Sequence, residues 1–364
     1  MRVAELNGHE SESAVASAWQ DVLFGIDGIA SLALLLNTEL ARRWQHAPRV
    51  LEQACRYALV PAGKAFRPIL LLESATAVGG DAEAVLPAAI GAEYGHVASL
   101  IHDDIIDGDE MRRGRVSVYR QYGVGEAIVA GDALIFQLFA CLAECRDTGI
   151  ADSRITAALD TVARAGIDLC RGQSMESELG RGGACSVEDY LTMIRLKTGA
   201  FFRGACQSGA VLGGGPPDQV SALGAYGDDL GIAFQIHDDL LGYTSDTATM
   251  GKAATSDIRN GRLTLPIILA YQLASPADCR LIDQALDTAH DQAAHGTAEH
   301  NGAGLDEALP TVRAVLERSQ TIQACMQVAH NHAEQASRAL AVLPPSPSRD
   351  TLAHFARLAV ARDH

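Results

Sequence analysis

The feature that most constrains this chain is a short acidic pattern that occurs twice, each time at the far end of a long apolar stretch. The first copy reads His102-Asp103-Asp104-Ile105-Ile106-Asp107 and the second His237-Asp238-Asp239-Leu240-Leu241. On a helix, Asp103 and Asp107 share one face with Asp104 beside them, so carboxylates converge within one turn. That convergence is unfavourable unless cations neutralise it, and hard oxygen ligands completed by phosphate suit Mg²⁺. A single copy reads as a solvated acidic helix end; a second copy reverses that reading. Arg112 and Arg113 follow the first copy, and their guanidinium forks suit phosphate oxygens.

Composition fills in the scaffold. Hydrophobic residues make up 48% of the chain but aromatics only 5%, which fits packed helices better than strands. The formal net charge is −16, from 45 acidic against 29 basic residues, so nucleic acid is not an expected partner and any polyanionic substrate needs local cations. The eight cysteines have no metal-ligand spacing, and buried free thiols in a reducing cytoplasm are expected. No apolar run free of polar breaks approaches the roughly 18 residues of a membrane span, so no stable membrane insertion is expected. Residues 1–14 read as a polar tail, and 15–364 as one all-α domain.

Along the chain, Trp19 to Trp44 has helical apolar spacing, with Leu32 to Leu36 broad enough for burial on more than one side, and Pro61 stops a second helix from Val50. Gly63-Lys64-Ala65-Phe66-Arg67-Pro68 places two cations around a turn and a helix start, an anion cradle in outline. The next helix carries Glu93 and His96 towards the first acidic pattern, with His96 a candidate phosphate donor. Lys197-Thr198 lies in an otherwise apolar helix, where burial favours a bound anion or a lysine reaching the surface. Gly251-Lys252 opens a polar segment running to Pro266 that reads as a lid.

Together these residues resemble the trans-isoprenyl diphosphate synthases of the polyprenyl synthetase family. The resemblance runs from about residue 38 to the C-terminus and rests on the two aspartate motifs, Gly63-Lys64-x-x-Arg67-Pro68, Lys197-Thr198 and Gly251-Lys252. It implies an all-helical bundle around a deep apolar cavity, with the acidic motifs facing each other at its mouth, and a homodimer. It implies that Asp103, Asp104 and Asp107, with Asp238 and Asp239, hold three Mg²⁺ ions on an allylic diphosphate contacted by Arg112, Lys197 and Lys252. Lys64, Arg67, His96 and Arg113 would then hold isopentenyl diphosphate, while Thr198 and Gln235 line the cavity where positive charge develops. Chain length in the family follows side-chain bulk before the first motif. Here Gly95, Ala98 and Ser99 are small, and Tyr94, Phe136 and Phe139 could close the cavity lower, which favours geranylgeranyl diphosphate over longer products and farnesyl diphosphate.

Three departures stand out. Ala62 takes the place of the family's first glycine, Gly242 that of the last aspartate of the second motif, and Val116 and Tyr119 the places of a Pro-x-x-His. A class I terpene cyclase shares the ionisation chemistry but has no use for the Lys64, Arg67 and Arg113 cradle. A silent partner subunit of a heteromeric synthase typically loses an acidic motif, whereas here both keep their leading aspartates.

Overall fold

The computed structural model describes residues 29–179, 185–244, 262–295 and 303–361. Lys252 with its lid segment, the 1–14 tail and the start of the Trp19 helix lie outside the described residues. What is described is helical, as expected, apart from one small hairpin. In order the elements are α1 (Ile29–Arg43), α2 (Val50–Leu59), α3 (Phe66–Ala77), α4 (Ala82–Asp107), β1 (Met111–Arg112), β2 (Arg115–Val116), α5 (Val118–Tyr122) and α6 (Val124–Glu144). Then come α7 (Asp152–Leu179), α8 (Val187–Ile194), a π-helical turn (Arg195–Gly199), α9 (Ala200–Gly213), α10 (Pro217–Thr244) and α11 (Leu265–Leu273). The chain closes with α12 (Pro276–His295), α13 (Ala303–Arg318), α14 (Thr321–Ala339) and α15 (Pro347–Leu358).

The chain falls into two compact units, where the sequence suggested one domain. One joins Met1–Ile69 to Pro87–Ala143, the other Leu70–Leu86 to Glu144–His364. Each unit carries one acidic motif.

In the first unit, α1 buries Ile29, Ala33, Leu36 and Leu40, a single stripe at helical spacing. Leu34 is 69% exposed, so this helix is covered on one side only, not on several as its leucine run suggested. Helix α4 buries Ile90, Val97, Ala98 and Ile101 and ends at Asp107. The hairpin that follows pairs Met111 with Val116 and Arg112 with Arg115. Arg113 and Gly114 make its two-residue turn with φ of 51° and 70°, the geometry that suits the twist of paired strands. Arg115 fixes the hairpin to α2: its guanidinium lies 3.9 Å over the Tyr57 ring, and the Tyr57 hydroxyl donates to the Val116 carbonyl at 2.7 Å.

In the second unit, α7, α9, α10 and α14 build the core, with Phe202, Tyr226, Leu230 and Ile236 buried. A further apolar cluster joins Tyr243, Ile267, Ile282, Val312 and Leu316. The Tyr226 hydroxyl, which burial would otherwise leave unsatisfied, donates to the Leu352 carbonyl at 2.8 Å and ties α10 to α15.

Two helices, α4 and α6, are long and apolar enough to cross a bilayer, which reading for unbroken apolar runs did not detect. The apolar window of α4 is 61% buried within the protein and that of α6 39%.

Candidate active site

The first half-site grows from the C-terminal end of α4. Asp103 and Asp107 are half-buried, four residues apart on one face, at the end where the helix presents unpaired carbonyls and attracts cations. Asp104 turns inward and is only 2% exposed. Arg112 donates to Asp104 Oδ1 from Nε at 2.8 Å and again from Nη2. Burial pushes the Asp104 carboxyl up to about 6 against the pull of that guanidinium. His102 faces α6, its Nε2 lying 3.3 Å from the Ile128 carbonyl and 3.7 Å from the Asp132 carboxylate.

Around the turn before α3, Arg113 lies against Gly63, and Arg67 and Arg113 are near His96. A Cβ on Gly63 would sit 2.5 Å from the Arg113 guanidinium carbon, so only glycine lets that cation pack against the backbone there. Two non-glycine residues hold left-handed backbone in this region, Ala65 with φ of 50° and Arg113 with φ of 51°. Strain of this kind persists where surrounding contacts over-determine it, as at ligand-holding loops. Burial lowers Arg67 to about 10, Arg113 adding to the fall and Glu93 opposing it. Burial, with Arg67, Arg113 and Arg112 near, holds His96 well below its ordinary value, so its ring is neutral and donates from one nitrogen only. Among these cations lies Glu93, 1% exposed, whose carboxylate oxygens receive no hydrogen bond from any described residue. Burial raises its pKa, and Arg113 and Arg67 restrain the rise. Lys64 is exposed. The cluster carries more positive than negative charge.

Of the candidate chain-length residues, Tyr94 is buried, and its hydroxyl accepts a hydrogen bond from Trp44 Nε1 at 3.0 Å with the rings edge to face at 6.0 Å. Gly95 and Ala98 are buried and Ser99 is half-buried. Phe139 is half-buried, but Phe136 is 74% exposed and closes no cavity within a single chain.

The second half-site is a run of hydrogen bonds. Asp238 is exposed, whereas Asp239 is 8% exposed with both oxygens engaged. The Tyr190 hydroxyl donates to Asp239 Oδ2 at 2.6 Å, and Gln235 Nε2 donates to Oδ1 at 2.7 Å. Gln235 Oε1 in turn accepts from the Thr198 hydroxyl at 2.8 Å. Lys197 and Thr198 lie in the π turn, an irregularity of the kind that re-aims side chains. The turn runs so close to α7 that a Cβ on Gly172 would meet the Lys197 nitrogen at 2.3 Å. Lys197 Nζ pairs with Glu176 Oε2 at 2.6 Å, with Arg262 at 3.7 Å from the same oxygen. In the structure this half-buried cation is paired with a carboxylate of its own chain. Gly242, at the place of the missing third aspartate, is buried in α10.

Sequence reasoning placed Glu93 on the same helix as His96 but assigned no pairing to Glu93, Glu176 or Tyr190, because pairings between distant elements leave no local spacing to detect.

Among the described residues, no three His, Cys, Asp or Glu side chains converge into a cation cage. Mg²⁺ keeps several waters and takes one or two carboxylates, with substrate phosphate completing the shell. Asp103 and Asp107, half-buried, and Asp238, exposed, carry hard carboxylate oxygens of the type such an ion takes.

The family model described as polyprenyl synthetase matches residues 48–299. The chain is 33% identical over 317 residues to the short chain isoprenyl diphosphate synthase of Methanothermobacter thermautotrophicus, covering 87% of this chain and 92% of that one. It is 28% identical over 328 residues to the octaprenyl diphosphate synthase of Escherichia coli, covering 90% and 95%. Among solved structures, the geranylgeranyl pyrophosphate synthetase of Pyrococcus horikoshii matches with a TM-score of 0.79 at 31% identity, covering 95% of this chain and all of that one.

Proposed function

The chain belongs to the polyprenyl synthetase family and is a trans-prenyltransferase, and from that premise we propose that it condenses isopentenyl diphosphate with an allylic diphosphate, in the presence of Mg²⁺, to geranylgeranyl diphosphate. The observation that carries this reading is the arginine-rich cradle of Arg67, Arg113 and His96 around Gly63. A chain that only ionised one allylic diphosphate would have no use for a separate anion site of this build, and this weighs against a cyclase.

In this reading Lys64, Arg67, His96 and Arg113 hold the diphosphate of isopentenyl diphosphate, the neutral His96 ring contributing a single N–H. Asp103 and Asp107 of the first motif, and separately Asp238 of the second, are the carboxylates assigned to Mg²⁺. When bound, the metal neutralises charge on the allylic diphosphate and helps it to leave. Asp104, whose Oδ1 takes both Arg112 donors, and Asp239, engaged at both oxygens by Tyr190 and Gln235, set the shape of each motif in this reading. Arg112, Lys197 and, beyond the described residues, Lys252 contact the allylic diphosphate, with Glu176 holding Lys197 in place. Thr198 and Gln235 present oxygen to the carbon that becomes positive. The isopentenyl double bond attacks that carbon, and a proton leaves to the departing diphosphate. No side-chain nucleophile takes part.

Small Gly95 and Ala98 support a product longer than farnesyl diphosphate, with Tyr94 and Phe139 below. A second copy of the chain completes the enzyme: α6 exposes Val124, Ile128, Val129, Ile135 and Phe136, an apolar face suited to a homodimer. All eight cysteines are free thiols, which supports a cytoplasmic setting.

The test is incubation of purified protein with Mg²⁺, isopentenyl diphosphate and each of the C5, C10 and C15 allylic diphosphates, followed by mass analysis of the dephosphorylated products. A C20 alcohol is expected. A ladder of longer alcohols would move the product assignment, and a hydrocarbon from an allylic diphosphate alone would replace the synthase with a cyclase.

A further inference from the structure

We infer that Tyr190 is a positioning residue that acts through Asp239 and Gln235 to fix which side of the Thr198 hydroxyl faces substrate. The inference rests on the reading that Thr198 meets the developing cation. Tyr190 stands on α8, is 1% exposed, and directs its hydroxyl proton to Asp239 Oδ2 at 2.6 Å.

The polarity of the whole run follows from the carboxylate. Asp239 accepts at both oxygens, so Gln235 turns its NH₂ group towards it. The reversed amide would set its oxygen 2.7 Å from Asp239 Oδ1, two acceptors in contact. With the amide fixed, Gln235 Oε1 is what remains for Thr198, and the threonine must donate, at 2.8 Å. Its proton is thereby committed, and only lone pairs remain for whatever approaches from the other side. A hydroxyl presenting lone pairs attracts a positive carbon, while one presenting a proton repels it. On α14, burial and the nearness of Asp239 push the Cys325 thiol up to about 12, so this neighbour stays neutral and does not compete for the carboxylate.

Tyr190 touches no reacting atom in this scheme. It supplies one of the donors that aim Asp239, and losing that donor loosens the hold of the carboxylate on Gln235. Three variants separate this role from a structural one. Tyr190→Phe is expected to lower kcat about ten- to a hundredfold, the scale of a lost hydrogen bond to a charged group, and to leave KM for isopentenyl diphosphate unchanged. In a Thr198→Val background the same substitution should have almost no further effect on kcat, because the hydroxyl whose polarity it sets is gone. Asp239→Asn, which keeps the shape but offers one acceptor to two donors, should turn the Gln235 amide over. That turn is read without substrate or metal from the side-chain amide signals of Gln235 by ¹⁵N NMR, which should move in Asp239→Asn and broaden in Tyr190→Phe.

Losses from Tyr190→Phe and Thr198→Val that simply multiply, or a Gln235 signal unmoved by Asp239→Asn, would overturn the relay. A wild-type protein that elongates no primer while the Gln235 signals respond as expected would overturn the functional reading and leave the hydrogen-bond polarity standing.

Discussion

In the first acidic motif the inner aspartate, Asp104, is held by Arg112, a permanent cation; in the second, the inner aspartate, Asp239, is held by Tyr190 and Gln235, which carry no charge. The outer aspartates are more open, Asp103 and Asp107 being half-buried and Asp238 exposed. The same pair of letters therefore divides the same way twice, with the inner carboxylate buried and anchored and the outer one more accessible. The difference lies in what each anchor costs. A guanidinium and a carboxylate brought out of water together must remain paired. A phenol and an amide set direction with smaller electrostatic stakes.

The largest effect should separate outer from inner aspartates. Asp103→Ala and Asp238→Ala are each expected to lower kcat/KM about a thousandfold, the scale of losing one electrostatic stabiliser at a reacting centre, with little change in folding stability. Steady-state rates across a Mg²⁺ titration check this, and a loss recovered fully by excess Mg²⁺ would mean a weaker role in binding alone.

The anchors should then differ in stability. Arg112→Ala strands a carboxylate that is 2% exposed and should cost about 2–3 kcal/mol, less than for a fully buried pair because water reaches the arginine side. Tyr190→Phe removes one neutral donor and should cost about 1–2 kcal/mol. Denaturant midpoints at constant m rank the two, and equal costs would erase the distinction between a charged and an uncharged anchor.

The smallest effect is a pH dependence confined to the first unit. Burial raises Glu93 above its ordinary 4.5, so the fold resists its ionised form. Below 4.5 the carboxyl is protonated in both folded and unfolded chains, and Glu93→Gln should be as stable as the wild type. As pH rises past that value the unfolded chain ionises first, and the wild type loses stability that the glutamine variant keeps. Melting temperatures from about pH 4 to 8 should diverge in favour of Glu93→Gln, and parallel curves would mean that Arg67 and Arg113 fully offset the burial.

Much of this was legible in the sequence where the signal is local. Helix α2 begins at Val50 as expected and ends at Leu59, ahead of the Pro61 that was read as its stop, and the acidic motifs ended or occupied helices as their spacing required. What escaped was non-local or too short to be periodic. A two-residue strand has no alternation to read, so the hairpin that aims Arg112 and Arg113 went unseen. The π turn at Lys197 differs from an α-helix by one inserted residue, which apolar spacing does not resolve. The Glu176 partner of Lys197 lies on another helix. Burial of the inner aspartates follows from the partners they meet, not from their place in the motif. The exposure of Leu34 and Phe136 likewise depends on what covers each helix, and side-chain type alone does not set that.

The division between outer and inner aspartates is tested most directly by crystals of the protein grown with Mn²⁺ and a non-hydrolysable allylic diphosphate analogue. Anomalous density should place Mn²⁺ against the carboxyl oxygens of Asp103, Asp107 and Asp238, with Asp104 still on Arg112 and Asp239 still on Tyr190. A metal ion ligated by Asp104 or Asp239 would contradict the account.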